Sequence, residues 1–407
     1  MNVDRKVLLF LFLLICIGLY YSIFLLSVVP YLLLLLGLSN KDVRKKLRSF
    51  ISHPKYYGLS LILLIYVLSG INSENTSNWL GRVNSNLIFL VIPLAFHLIG
   101  PLKKKYVNAF LAIYVVVNLV ISIKLLVGYL LNFEEINDGY LRGKTIVTPI
   151  IHIWYSHLVA IAVLFSIYLT ATKFYFVSKW ERYLYGFAAL FLMVFIHVLA
   201  VRTGLLALYL TLILSGCYYI FRTKKYKLGL AGFAALVLIF AVAYTSFPSF
   251  KNKMSYVKWD ISTALDEHGA YHNSDRIRIY SILNGWILAK EHPFFGVGVG
   301  DIEEATDKKF EVTYPDLPMD LRYSPINQVV FSLACFGFLG MFAFYTFLCI
   351  PLFYFWRRHP LVIPFYMLTF STFIGEQSIE LIVGKTTFLM VVSVLVQTKE
   401  EEKLLAD

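Results

Sequence analysis

The residues best placed to do chemistry lie in one polar stretch, Tyr271 to Asp301, in a chain otherwise rich in apolar runs. Arg276 and Arg278 fall on a predicted helix in this stretch, and a His-Pro pair and a glycine-rich turn follow. We expect any chemistry on a polar substrate to take place against this stretch. A surface helix with solvated arginines is the alternative interpretation.

A third arginine, Arg202, lies in the short connection between two apolar runs. The connection is so short that Arg202 must lie at the membrane boundary, where an ionisable residue is a functional candidate by default. An interfacial arginine that reaches to lipid headgroups is the alternative.

The helix that carries Arg278 is predicted to be amphipathic, because its apolar residues recur at the helical period. These residues are Ile279, Ile282, Leu283, Trp286 and Ile287. Ser274 or Asp275 can cap its start, and His292-Pro293 stops it. The apolar face is expected to lie on the membrane or to pack on a helical bundle.

The glycine-rich turn, Phe294 to Asp301, follows a helix rather than a strand, so it is not a dinucleotide-binding fingerprint. We expect a tight turn with positive φ. The histidines have no metal-ligand spacing, and no Asp-x-Asp, GxSxG or Walker motif is present. The four cysteines lie in apolar runs without paired spacing. The sequence therefore predicts no metal site, no cofactor and no disulfide framework.

Composition places the chain in the membrane class. Of its 407 residues, 58% are hydrophobic and only 15% are charged, and the mean hydropathy is +0.69. The net charge of +12 does not indicate a nucleic-acid partner, because the positive residues cluster between apolar runs. That distribution is the positive-inside pattern of a protein whose partner is the lipid bilayer.

The predicted fold is all-α, a polytopic membrane protein with about 12 transmembrane helices. Val7 to Leu38 is long enough for a hairpin of two spans that turns near Gly18 to Ser22. The other spans are predicted at Tyr57–Ile71, Val83–Gly100, Tyr106–Leu131, Ile151–Thr172, Tyr183–Val201, Thr203–Phe221, Leu228–Ser246, Ile326–Trp356, Leu361–Gly375 and Ile379–Val396.

Charge asymmetry predicts the sidedness of these spans. The lysine and arginine clusters at 103–105, 173–182, 222–227 and 357–358 fall on one side, which must be the cytoplasm. Both termini are then cytoplasmic, and the segment 247–325 between the ninth and tenth spans is periplasmic. The predicted units are spans 1–9 at 1–246, this periplasmic segment, and spans 10–12 with a short tail at 326–407.

The order of motifs between Val201 and Gly340 resembles the O-antigen ligase and polymerase superfamily, bacterial membrane glycosyltransferases that use undecaprenyl-diphosphate-linked glycans. The motifs are Arg202-Thr203-Gly204, the arginine-bearing helix, His292-Pro293-x-x-Gly296-x-Gly298-x-Gly300, Asn327-Gln328-Val329-Val330 and Gly337-Phe338-Leu339-Gly340. The N-terminal half matches in hydropathy alone.

The resemblance implies that Arg202 and Arg278 are the essential arginines, with Arg276 as a near competitor. They would bind the departing diphosphate bidentately and stabilise its growing charge in place of a metal ion. The implied substrate-binding residues are Arg276, Asn327, Gly296 and Gly298.

One position departs from the family pattern. The superfamily usually has a histidine before the asparagine at the tenth span, and Ile326 stands there instead. Ile326 cannot take a proton, so either another group serves, or the acceptor chemistry differs, or the chain is a diverged member. His272 is the first predicted substitute, because it lies close in sequence to Arg276 and Arg278, and Asp275 and Glu267 are the others.

These observations predict a metal-independent glycosyltransferase of the bacterial inner membrane. Its donor would be an undecaprenyl-diphosphate-linked glycan, and its acceptor lipid A core for a ligase or another lipid-linked glycan for a polymerase. The alternatives of another class are a lipid-linked glycan transporter and a catalytically diverged member.

Overall fold

The computed structural model describes residues 4–263 and 274–399. The predicted catalytic residue His272 and its alternative Glu267 lie outside the described residues.

The described chain is helical, and its only extended pairing is an isolated bridge between Leu102 and Thr398. The helices of the first half are α1 (Arg5–Tyr21), α2 (Ile23–Leu38), α3 (Val43–Ser52), α4 (Pro54–Tyr57), α5 (Leu61–Leu68), α6 (Thr76–Asn86), α7 (Ile88–Ile99), α8 (Lys104–Leu131), α9 (Phe133–Leu141), α10 (His152–Ala171) and α11 (Glu181–Leu199). Those of the second half are α12 (Arg202–Thr223), α13 (Tyr226–Ser246), α14 (Pro248–Thr263), α15 (Ser274–Glu291), α16 (Ile302–Thr313), α17 (Gln328–Phe355), α18 (Val362–Thr372) and α19 (Ile382–Val396).

The all-α membrane class predicted from the sequence is confirmed. Eight helical segments of the described chain are long and apolar enough to cross a membrane, or nine if α2 and α3, bent by 115°, form one span. Helices α1, α18 and α19 are apolar but shorter. Every predicted span coincides with a helical segment, and the total of 12 stays a prediction.

The predicted hairpin is interrupted where the sequence indicated. α1 ends at Tyr21, and Ser22 adopts an extended conformation with φ −156° and ψ 103°. The Ser22 Oγ accepts a hydrogen bond from the Leu25 N–H at 3.2 Å, which caps α2. The two helices then pack against each other.

Helix α10 is the central helix of the bundle. It packs against α8, α11, α12 and α18, and 83% of the residues in its most apolar stretch are buried. A helix that is apolar all round must be covered on all sides. Its first residue, His152, therefore stands at a fixed place at the end of the bundle where α12 also begins.

The predicted amphipathic helix is α15, and it ends at Glu291, directly before the predicted stop at His292-Pro293. It packs on α17 through a face that includes the buried Ser281, Asn284 and Gly285. A Cβ added at Gly285 would collide with Pro325, so glycine permits the close approach. Leu283 and Trp286 of the apolar stripe are 45% and 47% exposed, whereas its three isoleucines are half-buried. The stripe therefore lies only partly against the bundle.

A break in α17 holds the glycine-rich turn in place. Gly337 has φ +65°, a conformation that favours glycine. The Phe338 N–H donates to the Pro293 carbonyl at 2.7 Å instead of to its own helix. The carbonyls of Ala334 and Cys335 accept from the N–H groups of Val297 and Gly298 at 2.9 and 3.0 Å. At the break, these backbone groups of α17 form hydrogen bonds with the glycine-rich turn instead of within their own helix, so they keep hydrogen-bond partners.

The predicted sidedness can be tested with single cysteines at two exposed positions, Val147 before α10 and Lys225 after α12. With the four native cysteines replaced by serine, V147C is expected to react with a membrane-impermeant maleimide in spheroplasts. K225C should react only after permeabilisation, because it lies on the positively charged side. Reaction of both from one side would contradict the topology.

Candidate functional site

The first predicted arginine is held by a carboxylate from α15. Ala200 ends α11 in the left-handed conformation with φ 52°, and α12 begins two residues later at Arg202. Its guanidinium donates to both carboxylate oxygens of Asp275, at 2.7 and 2.8 Å. This fork-to-fork geometry fixes the orientation of the arginine as well as its charge.

The second predicted arginine, Arg278, lies one helical turn after Asp275 and therefore on the same face of α15. Its Nη1 donates to the Gly375 carbonyl at 2.7 Å, and its Nη2 donates to Glu376 Oε1 at 2.8 Å. Burial raises the pKa of the Glu376 carboxyl above its ordinary value, and the neighbouring Arg278 partly opposes this rise. Glu376 thus stabilises the positive charge of Arg278.

The carboxylate of Glu376 is itself held by the connection between α18 and α19, residues 373–381, which we call the α18–α19 loop. Gln377 Nε2 donates to the Pro325 carbonyl at 2.5 Å. The Ile379 N–H donates to Gln328 Oε1 at 3.1 Å, and Tyr66 Oη donates to Glu380 Oε1 at 2.7 Å. The loop is thus tied to α5 and to the start of α17.

The α18–α19 loop also brings the two arginines together. A Cβ added at Gly375 would lie 3.1 Å from Thr203 Cγ2 and 3.9 Å from Arg278 Nη1. The start of α12, which carries Arg202, and the guanidinium of Arg278 therefore both lie close to one glycine. A side chain at position 375 would crowd Thr203.

Both arginines line one cavity of about 780 Å³, which we call the arginine cavity. Its charged lining residues in the described chain are Arg142, Lys144, Arg202, Lys253, Arg278 and Asp275. Three of these cations are paired with carboxylates, Arg202 with Asp275, Arg278 with Glu376 and Arg142 with Asp138. Lys144 and Lys253 keep the site positive, which favours an anionic ligand. His152 lies in the same wall. Among the described residues, no group of three His, Cys, Asp or Glu side chains could hold a metal ion.

Two other predicted site residues do not line this cavity. Arg276 is 3% exposed and lies on a different face of α15 from Arg278. Asn327 caps α17, since its Oδ1 accepts from the N–H groups of Val329 and Val330, and its Nδ2 donates to the Ile374 carbonyl at 2.9 Å. Asn327 therefore positions the α18–α19 loop, and its substrate-binding role stays a prediction.

Gly296 and Gly298 have φ +69° and +90°, as expected for the tight turn. A Cβ at Gly296 would collide with the backbone of Cys335, and one at Gly298 would lie 2.6 Å from Ser73 Oγ. Close packing thus accounts for both glycines. Gly296 lines a separate cavity of about 610 Å³ beside His292, and neither glycine lines the arginine cavity.

The sequence interpretation missed Glu376, Lys253 and His152. Glu376 was not among the predicted site residues, and its partner Arg278 is 98 residues away. Lys253 donates to the Gly143 carbonyl at 2.8 Å, 110 residues away. The only sequence signal was a carboxylate or histidine at the edge of an apolar run, which does not identify a partner.

Comparison with known proteins supports the resemblance. Residues 187–345 match the family described as O-Antigen ligase. The match covers less than half of the chain, from α11 into α17, and includes Arg202 and Arg278. A search of curated proteins finds no match.

The support of Arg278 by Glu376 can be measured by a double-mutant cycle with E376A, R278A and the double variant. Both side chains are mostly buried, at 11% and 24% exposed. We expect a coupling of roughly 1–3 kcal/mol in the free energy of unfolding, since each single change leaves the other charge without its partner.

The matched control for this cycle is the exposed pair of Lys308 and Glu304, which has a similar separation of 2.7 Å. Its coupling should be below about 0.5 kcal/mol, because solvent screens exposed pairs. Unfolding of the purified protein in detergent provides the measurement. Equal coupling in both cycles would show that Glu376 does not support Arg278.

Proposed function

Because residues 187–345 match the O-antigen ligase family, we propose that the chain moves a glycan from undecaprenyl diphosphate to an acceptor hydroxyl. The family supports the coarser statement, a glycosyltransferase role with a lipid-linked glycan in a membrane. The proposed acceptor is lipid A core, as in an O-antigen ligase.

The observation that supports the proposal is that the charged arginine cavity and an apolar groove meet at Arg202. An apolar groove of about 410 Å³ runs between α12, α13 and α14 and shares Arg202 and Leu206 with the arginine cavity. The groove is lined by residues such as Tyr209, Phe233 and Phe240. A ligand that fills both surfaces has an anionic head and an apolar tail, as a lipid diphosphate does.

The arginines would act on the leaving group. As the acceptor oxygen bonds to the anomeric carbon, the bond from that carbon to the diphosphate breaks and its electron pair leaves with the diphosphate. Arg202 and Arg278 stabilise this developing charge, and a guanidinium stays protonated throughout. Since Asp275 and Glu376 fix both groups beforehand, little reorganisation is needed during the reaction.

The proposed location follows from the charge pattern. The arginine cavity lies at the end of the bundle where α10 and α12 begin, and the lysine and arginine clusters lie at the other end. We place the cavity on the periplasmic side of the inner membrane, where the acceptor is reached.

The proposal is tested by release of undecaprenyl diphosphate from a lipid-linked glycan by the purified protein with EDTA present. Wild type should release it, and the mass of the glycosylated product then identifies lipid A core or another glycan as acceptor. R278A should lower kcat by about 10²–10³-fold, the usual cost of one electrostatic donor.

The matched variant R278K keeps the charge but loses the planar fork, so its kcat should stay well below that of wild type. R322K, in a residue that does not line the arginine cavity, serves as the control. Wild-type turnover in R278K would contradict the leaving-group role. No release by wild type with either acceptor would contradict the proposed function.

The apolar groove can be tested through the length of the donor tail. Lipid is as apolar as leucine, so the groove must select its tail by shape rather than by hydrophobicity. L236W is expected to fill the groove and to raise KM by about 10-fold for a long-chain donor, a loss of about 1.4 kcal/mol in binding.

A donor with a short prenyl tail should be unaffected by L236W, because its tail does not reach the filled part. L230W provides the control, since Leu230 is 72% exposed on the same helix and outside the groove. An equal rise in KM for both donors would show that the groove does not hold the tail.

A further inference from the structure

The transfer requires a group that the two arginines cannot provide. An acceptor hydroxyl must lose its proton as its oxygen bonds to the anomeric carbon, and a positioned base contributes about 10²–10⁴-fold to such a step. Arginine stays protonated in proteins and cannot act as this base. This inference rests on the proposed function and concerns the same cavity.

Few side chains in the wall of the arginine cavity can accept a proton at neutral pH. Lysine and tyrosine carry their proton at this pH, which excludes Lys144, Lys253 and Tyr256 in their ordinary states. Asp275 and His152 are left among the described lining residues. Ile326 has no ionisable group, and its N–H donates to Ser281 Oγ at 3.1 Å outside this wall.

Asp275 is the weaker of the two candidates, because both of its oxygens already accept hydrogen bonds from Arg202. A carboxylate that gave up this pair would release the guanidinium that it orients. Glu376, which pairs with Arg278, does not line the cavity and is only 9% exposed.

His152 is the remaining candidate, and its position supports the role. It is the first residue of α10, and its partly exposed side chain lines the cavity together with Arg202 and Arg278. No hydrogen bond to its ring is present within residues 4–263 and 274–399. The central packing of α10 fixes its backbone, so the imidazole stays beside the cavity without being committed to a partner.

We propose that His152 is the catalytic base. Its unprotonated ring nitrogen takes the proton of the acceptor hydroxyl as the new glycosidic bond forms. The bond between the anomeric carbon and the diphosphate breaks in the same step, and the diphosphate leaves with the electron pair.

Several charges face His152 and will influence its titration. They come from the segment before α10 (Arg142, Lys144), from α12 (Arg202), from α14 (Lys253) and from α15 (Asp275, Arg278). The imidazole must be unprotonated to act, so wild-type kcat should fall as the pH decreases through its titration.

The test compares H152Q, H152A and the control H292Q, a histidine outside the arginine cavity. H152Q should lower kcat by about 10²–10³-fold, with KM for the donor changed less than threefold and with unchanged thermal stability. The acid limb of the pH–rate profile should disappear in H152Q and persist in H292Q. Added imidazole should restore part of the turnover of H152A, which a purely structural role does not predict.

Three outcomes would overturn the assignment while leaving the proposed function intact. They are wild-type kcat in H152Q, an acid limb that persists in H152Q but disappears in D275N, and failure of imidazole to restore H152A. Failure of wild type to release undecaprenyl diphosphate would instead overturn the proposed function itself.

Discussion

The ion pair between Arg278 and Glu376 is the interaction on which the site depends. A guanidinium at the edge of an apolar bundle is costly unless it is paired, and a buried carboxylate is costly for the same reason. Pairing them lets α15 place a permanent positive charge beside Arg202. The α18–α19 loop supplies Glu376 and the Gly375 carbonyl, and its hydrogen bonds to α5 and α17 hold it in place.

Each of the two arginines is oriented by a carboxylate, and the two carboxylates come from different elements. Arg202 is oriented by Asp275 from α15, and Arg278 by Glu376 from the far end of the chain. Each carboxylate fixes the orientation of a guanidinium and also partly neutralises its charge. The arginine cavity remains positive because Lys144 and Lys253 add charge from other elements. A diphosphate would therefore meet donors that are already oriented.

The elements were predictable from the sequence, and the tertiary partners were not. Apolar runs and stop signals predicted the helices, including the end of α15 before His292-Pro293, because these signals are local. Positive φ at Gly296 and Gly298 was also predictable, but their packing against Cys335 and Ser73 was not. The sequence left open whether Leu283 and Trp286 face outward or pack on the bundle, because an apolar stripe does not say what it contacts. Glu376 pairs with a residue 98 positions away, and His152 shares a cavity wall with residues of α12 and α15, which hydrophobic periodicity does not encode.

The central claim is that Arg202 and Arg278 together bind the diphosphate of a lipid-linked glycan. The most direct measurement is a cryo-EM structure of the protein with a non-transferable phosphonate analogue of that donor. The account predicts phosphate oxygens about 2.7–2.9 Å from nitrogens of both guanidinium groups, with the prenyl tail in the apolar groove. A diphosphate bound away from both arginines, with the arginine cavity free of the analogue, would contradict it.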